Sequence, residues 1–231
     1  MHIDLLIPAH NESLNIDPLF DAIERVQPDL IRRVVLIDNA STDDTAALAT
    51  KRGAIVLHEM HRGYGAACLA GINWLGSNQP PDVLVFLDAD LSDDPAALPR
   101  LLQPIFSGDA VLVIGSRVRL AEAGALNVAQ RFGNRLACML MFMATGKRYR
   151  DLGPFRAISW NALEQLHMQD RTWGWTVEMQ MKAAMQQLRV AEVDVPYRTR
   201  HAGKSKISGT VRGVVAAGWK IITTIILLRL R

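Results

Sequence analysis

Asp88 and Asp90, separated by Ala89, close the apolar run Val83-Leu84-Val85-Phe86-Leu87, so a pair of carboxylates falls where a buried strand stops. Oxygen ligands on a rigid strand end suit a hard divalent cation, Mg2+ or Mn2+, and such a cation suits a diphosphate. The same residues also read as a plain strand end leading into a helix, with Ser92-Asp93-Asp94-Pro95 as its cap and first turn. Open α/β sheets bind ligands beyond the carboxyl ends of their strands. The two readings separate on whether other polar groups gather at the same edge.

Short apolar runs alternate with helical patterns through the first half. The sequence predicts strands at Ile3 to Ile7, Val34 to Ile37, Ala54 to Leu57, Val83 to Leu87 and Ala110 to Ile114, with helices near 14 to 26, 43 to 52, 65 to 75 and 95 to 106. Strict β/α alternation predicts a mostly parallel sheet covered by helices on both faces. Asn11 and Glu12 then follow the first strand, Asp38 ends the second, the turn 61 to 65 follows the third, and Arg117 follows the fifth. Five successive polar strand ends point to one site. Gly63 and Gly65, just before a helix, would allow close approach of a ligand to an anion-favouring helix start. As a dinucleotide fingerprint this turn is poor, because it follows the third strand and Cys68 stands where the last glycine belongs.

A chain of 231 residues with 49% hydrophobic content supports one large α/β domain. Its net charge of +3 conceals a division: residues 1–115 carry 7 basic and 16 acidic side chains, and residues 116–231 carry 19 basic and 7 acidic. An acidic half that holds a cation and a basic half that holds anions fit a metal-diphosphate ligand between them. Nothing in the basic half has the aromatic interleaving or zinc spacing of a nucleic-acid binder, so no nucleic-acid partner is expected. Cys68 and Cys138 match no metal or redox spacing and favour a reducing compartment, and the start of the chain lacks the pattern of a signal peptide.

The nine apolar residues from Leu136 to Ala144 are too few to cross a bilayer as a helix and fit either a core helix or one resting on lipid. From Arg198 to Arg231 there are eight Lys or Arg residues and no acid, interleaved with apolar runs around Trp219. That stretch reads as a basic helix lying on a membrane surface, or as a terminal helix packed on the domain or on a partner chain.

Taken in order, Pro8-Ala9-His10-Asn11-Glu12, Ile37-Asp38-Asn39-Ala40-Ser41-Thr42-Asp43, Gly63-Tyr64-Gly65, Asp88-Ala89-Asp90-Leu91, Gly115-Ser116-Arg117, Asp151-Leu152-Gly153-Pro154-Phe155-Arg156 and Gly174-Trp175 with Glu178 resemble the motifs of family 2 glycosyltransferases. With Arg200, Gly203 and Ser205-Lys206 the chain is similar to the dolichyl- or polyprenyl-phosphate mannosyltransferase branch. The resemblance implies a GT-A fold over residues 1–206, a basic amphipathic interfacial helix over 207–231, and a peripheral enzyme on the cytoplasmic face of a membrane. It implies that Pro8, His10, Glu12, Asp38, Gly65 and Ala89 line the nucleotide-sugar pocket and that Asp88 and Asp90 hold Mg2+ or Mn2+. Arg117, Arg131, Arg200 and Lys206, with Asp90, would meet the phosphates and carry catalysis.

The implied reaction is inverting transfer of a hexose from GDP-mannose or UDP-glucose to polyprenyl phosphate, whose oxygen is already anionic and needs no strong base. Membership of the same family also admits transfer to a sugar hydroxyl, which would need a base near Asp151 or Glu178. A nucleotide-binding regulatory subunit without turnover is a third reading. Two departures matter: Ser92 stands where relatives often carry Gln, leaving water to complete the metal shell, and Asn39-Ala40 stand where many carry Asp and Gly. Relatives often continue into transmembrane helices, so a membrane-anchoring protein is an expected partner alongside the membrane surface.

Overall fold

The computed structural model describes residues 1–26, 30–203 and 211–230, with side chains of the last helix described from 218 to 229. Strands β1 (Ile3–Ala9), β2 (Arg33–Asp38), β3 (Ile55–His58), β4 (Val83–Phe86) and β5 (Leu112–Ser116) match the five expected from the sequence within two residues at most ends. Helices α1 (Ser13–Glu24), α2 (Thr45–Lys51), α3 (Tyr64–Ser77) and α4 (Leu98–Phe106) lie between them. The helix expected over 95–106 opens as a 3-10 turn, Pro95–Ala97, capped by Asp94, which accepts from the Ala96 N–H at 3.0 Å.

The second half adds α5 (Val128–Thr145), β6 (Arg156–Ser159), α6 (Trp160–Leu166), α7 (Trp175–Met185), β7 (Val190–Asp194) and α8 (Val211–Leu230). The strands form one sheet in the order β3-β2-β1-β4-β6-β5-β7. Among the described strands only β6 runs antiparallel, against both β4 and β5, so the sheet is mixed and mostly parallel. Side chains alternate across it: Ile3, Leu5 and Ile7 enter the core with α1 and α4, whereas Leu6 enters the one with α3, α6 and α7. Coverage on both faces explains why β1 and β4 read as nearly unbroken apolar runs.

The chain leaves β1 toward β2 on one side and finds β4 on the other, and this reversal opens a crevice at the carboxyl edge. Register fixes what lines it. Ala9 pairs with Asp38, and the Leu87 N–H donates to the Leu6 carbonyl at 3.1 Å, setting Asp88-Ala89-Asp90 beside the end of β1. Asn11, Ala40 and Leu91 all take left-handed backbone (φ 52°, 57° and 60°) on these strand-end loops. For a residue with a Cβ this costs on the order of 1–2 kcal/mol. Ala40 occupies the position at which the resemblance leads one to expect glycine, so the turn is kept at that cost.

Helix α8 packs on α5 and α7, burying Thr224, Ile225 and Leu228, while Trp219, Ile226 and Leu227 remain exposed. Helix α5 buries Ala137, Cys138 and Met141 from the apolar run and exposes Phe132, Met139 and Met143. The run is thus a core helix on one face, with an apolar exposed face on the other. Among the described residues, no helix is long and apolar enough to cross a membrane.

Candidate active site

A cleft of about 940 Å³ opens at the crevice. Pro8, Glu12, Tyr64, Asp88, Ala89, Asp90, Arg117 and Arg200 line its inner part, and Arg131 its outer part. His10 sits on the loop after β1, and Asp38 is buried at the end of β2, where it accepts from the Ser41 N–H at 3.2 Å and contacts His58 Nδ1 at 3.0 Å. Lys206 lies outside the described residues.

The carboxylate pair is asymmetric. Asp90 is tied down: its Oδ1 accepts from the Ser92 N–H at 2.9 Å and its Oδ2 pairs with Arg200 Nη2 at 2.9 Å. Ser92 thus orients Asp90 through its backbone. Asp88 is half-buried, but its Oδ1 is fully enclosed and lacks any hydrogen-bond partner, and the Tyr64 hydroxyl and two arginines face its carboxyl. Burial first, and the nearby Asp90 charge second, push the Asp88 pKa up to about 7. A buried carboxylate oxygen without a donor, beside a second carboxylate, fits a divalent cation, because oxygen ligands of this hardness suit Mg2+ or Mn2+.

The cations facing the pair are held by acids of their own. Arg117 grips Asp151 bidentately, Nε to Oδ2 at 2.8 Å and Nη2 to Oδ1 at 2.7 Å, and its guanidinium stands 5.0 Å from the Tyr197 ring centroid. Burial works against the Arg117 charge, but the Asp151 bonds outweigh it and raise the pKa. Arg200 Nη1 donates to both Glu12 oxygens at 2.9 Å, so one guanidinium spans Glu12 and Asp90. Glu12 also accepts from Asn15 Nδ2 at 2.6 Å. Arg131 is exposed, its Nε donating to the Leu126 carbonyl at 3.1 Å.

Several expectations change in detail. A base near Asp151 or Glu178 is displaced: Asp151 is committed to Arg117, and Glu178 accepts from the N–H groups of Gln169 and Asp170 while pairing with Lys182 at 2.7 Å. Gly65 does not line the cleft. A Cβ there would overlap the carbonyl of Asp170, and one at Gly63 that of Arg171. The N–H groups of Gly65 and Ala66 donate to the carbonyls of Thr172 and Arg171 at 3.2 and 2.8 Å, so the start of α3 is capped by the chain itself and not open to an anion. Exchanging Gly65 for Ala should therefore destabilise the ligand-free protein by about 1–3 kcal/mol, seen as a lower urea midpoint. An unchanged midpoint with weaker nucleotide binding would instead mean that the glycine admits a ligand.

Two residues not among those expected at the site stand beside it. Asn39 stitches the loops together, donating to the carbonyls of Glu59 and His61 at 2.9 and 2.8 Å and accepting from the Gly63 N–H at 2.8 Å. Asp93 is buried with both oxygens unpartnered, and burial raises its pKa well above the ordinary carboxylate range. An Asn in a strand-end loop and an Asp in an acidic run have surface explanations in a sequence. Only long-range placement tells otherwise.

Toward α5 and α8 the cleft changes character: Leu126, Met139, Phe142 and Ile221 give it an apolar wall, and Arg135 and Arg148 stand along it. The Arg148 guanidinium lies 4.8 Å from the Phe142 ring centroid. One end thus presents carboxylates and cations, the other a greasy wall with cations.

Comparison with known proteins gives a consistent picture. Residues 4–166 match the family described as Glycosyl transferase family 2. An uncharacterized glycosyltransferase of Mycobacterium tuberculosis is 35% identical over 228 residues, 96% of this chain and 98% of the relative. The undecaprenyl-phosphate mannosyltransferase of Micrococcus luteus is 32% identical over 237 residues, 92% of this chain and 90% of the relative. The polyprenol monophosphomannose synthase of Mycolicibacterium smegmatis is 29% identical, with 89% and 81% covered. Among solved structures, glucosyl-3-phosphoglycerate synthase from Mycobacterium tuberculosis, in complex with Mn2+, uridine diphosphate and phosphoglyceric acid, matches with a TM-score of 0.78 at 21% identity, covering 99% of this chain and 78% of that one. This last likeness is one of fold, of the GT-A type.

Proposed function

The chain belongs to glycosyl transferase family 2, and on that premise we propose that it transfers a hexose, mannose in the reading its relatives' names support, from a nucleoside diphosphate sugar to a polyprenyl phosphate at a membrane surface. The observation that carries this is the two-ended cleft: Asp88, Asp90, Arg117 and Arg200 at one end, and the apolar wall of Met139, Phe142 and Ile221 with Arg135 and Arg148 at the other. A sugar hydroxyl acceptor has no use for a greasy wall, whereas an isoprenyl phosphate needs both the wall and the cations.

Asp88 and Asp90 would hold the divalent cation, which supplies Lewis-acid charge to the departing diphosphate. Arg117 and Arg200 face the same edge and neutralise the charge that builds on that leaving group. Glu12 lines the cleft with Pro8 and Ala89, and Asp38 and His10, on the adjoining strand-end loops outside its lining, would complete the pocket by offering groups to base N–H or ribose hydroxyls. Arg131, Arg135 and Arg148 steer the acceptor phosphate, by charge or by bidentate bonding. An acceptor phosphate oxygen forms the new bond to the anomeric carbon while the old carbon–oxygen bond breaks, and its electron pair leaves with the nucleoside diphosphate. No proton needs to move, which agrees with the commitment of Asp151 and Glu178 elsewhere, and attack opposite the leaving group inverts the anomeric centre.

The exposed Phe132, Met139 and Met143 on α5 and Trp219 on α8, among lysines and arginines, would rest at the headgroup level and keep the apolar end of the cleft open to lipid. Incubation with undecaprenyl phosphate, Mn2+ and radiolabelled GDP-mannose or UDP-glucose tests the reading. Label should pass from the aqueous to the solvent-extractable phase with GDP-mannose. Retention of all label in water with either donor would overturn it.

A further inference from the structure

The loop between α6 and α7 touches both the C-terminal helix and the start of α3, although it lines neither end of the cleft. Asp170 is its keystone. Its Oδ1 accepts from the N–H groups of Thr172 and Gly174 at 2.7 and 3.2 Å, closing the loop on itself, and its Oδ2 pairs with Lys220 of α8 at 2.8 Å. Helix α8 sits so near that a Cβ on Gly174 would stand 2.6 Å from Thr224 Oγ1 and would also overlap the Asp170 carboxylate. On its other side the loop presses into α3. The carbonyls of Arg171 and Thr172 cap Ala66 and Gly65, and only glycine at 63 and 65 leaves room for that approach. Tyr64, held between those two glycines, lines the cleft and turns its hydroxyl toward Asp88.

Three glycines whose Cβ positions are occupied thus stack helix α8, the loop 168–174 and the start of α3 in direct contact, and the stack ends on a carboxylate. A loop needed only to join α6 to α7 would not require close approach on both sides. We infer that Asp170, through Lys220 on one side and the Gly63-Tyr64-Gly65 turn on the other, is a positioning residue that couples the seating of α8 to cation binding at Asp88. The inference rests on the assignment of Asp88 and Asp90 as cation ligands, and it assigns a regulatory input to that site. When α8 is drawn from its seat the loop loses its anchor, Tyr64 loses its fixed place against Asp88, and the cation is held less well. A helix whose far face carries Trp219, Ile226 and Leu227 is well placed to sense a lipid surface, so the transferase would hold its cation best when α8 is seated.

The test uses the whole chain with Lys220→Met and Asp170→Asn, and Lys220→Arg as the conservative control. The asparagine keeps an acceptor for the Thr172 and Gly174 N–H groups and loses the charge and the acceptor that face Lys220. Amide hydrogen exchange in the metal-free protein reads the loop directly: the Gly65 and Ala66 amides should exchange faster in Lys220→Met and Asp170→Asn and at the original rate in Lys220→Arg. Mn2+ titration followed by electron paramagnetic resonance should show affinity weakened about fivefold in the first two variants and restored in the third, in the range of ordinary site-to-site coupling. Unaltered exchange at Gly65 and Ala66 in both variants would overturn the coupling whether or not Mn2+ binds. Absence of Mn2+ binding to the unmodified protein, with the exchange effect intact, would strike the cation assignment and leave the mechanical link standing.

Discussion

Asp88→Asn is expected to reduce transfer about a thousandfold while making the metal-free protein harder to unfold above pH 7. The two effects have one cause. Asp88 is half-buried beside Asp90 with its Oδ1 enclosed, and desolvation and that neighbouring charge hold its folded pKa at about 7, against 3.8 for the ordinary side chain. A carboxyl whose folded pKa is raised binds its proton more tightly when folded. Its contribution to stability is therefore full below about pH 4 and is lost as pH rises through 7. Asparagine has no such loss, so at pH 8 the variant should be more stable than the unmodified protein by on the order of a few kcal/mol, and the difference should vanish near pH 4. Mn2+ should restore the unmodified protein at pH 8 and leave the variant unaffected, since a ligand stabilises only the form that binds it. Thermal unfolding at pH 4, 6 and 8, with and without Mn2+, measures all of this, and a variant less stable than the parent at pH 8 would contradict it.

The second large effect is structural. Asp151→Ala should cost about 3 kcal/mol, because it leaves the mostly enclosed Arg117 guanidinium without its bidentate partner. Asp151 is 1% exposed and accepts three bonds from Arg117, counting the backbone N–H at 2.7 Å, so no water takes its place cheaply. Arg117→Ala strands the carboxylate in turn. The double variant should lose far less than the sum of the two, since once one partner is gone the other is a liability. Urea midpoints for the two single variants and the double variant form the cycle, and additive losses would show that the pair is not a unit. Transfer should fall in Asp151→Ala by more than the unfolded fraction explains, because Arg117 reaches the cleft only as Asp151 aims it.

The edge of the sheet was legible in the sequence because its signals are local. An apolar run ending in Asp88 and Asp90, and polar residues at the ends of four other runs, are visible without knowing what lies across the sheet. The second half was not legible in the same way. Strand β6 is four residues, Arg-Ala-Ile-Ser, too short for alternation to speak, and it opens on Arg156, which the fold buries completely among the carbonyls of Gly153, Leu152 and Thr176. Burial lowers the Arg156 pKa to about 10, an environment no surface propensity anticipates. Strand β7 is half-buried along its length at the sheet edge and carries Glu192 and Asp194, which look like loop residues.

The glycine pair misled for a related reason. Gly63 and Gly65 before a helix carry the signature of backbone close to an anion, and the close approach is real, but the approaching group is a chain segment more than a hundred positions away. Spacing reports that something comes near and not what it is. The acidic and basic halves meet at the cleft, yet Arg200 already pairs with Glu12 and Asp90 across the boundary, and Asp151 holds Arg117 within the basic half. Cations free to meet phosphate cannot be counted from composition.

A cation at the Asp88/Asp90 edge, shared with the diphosphate of the donor, is the premise on which the proposed chemistry stands. Anomalous scattering from a crystal grown with Mn2+ and GDP tests it directly. The account predicts a manganese peak within coordination distance of oxygens of Asp88 or Asp90 and of the diphosphate, with Arg200 released from its bridge to Glu12. A diphosphate bound in the cleft with no metal at that edge would contradict it.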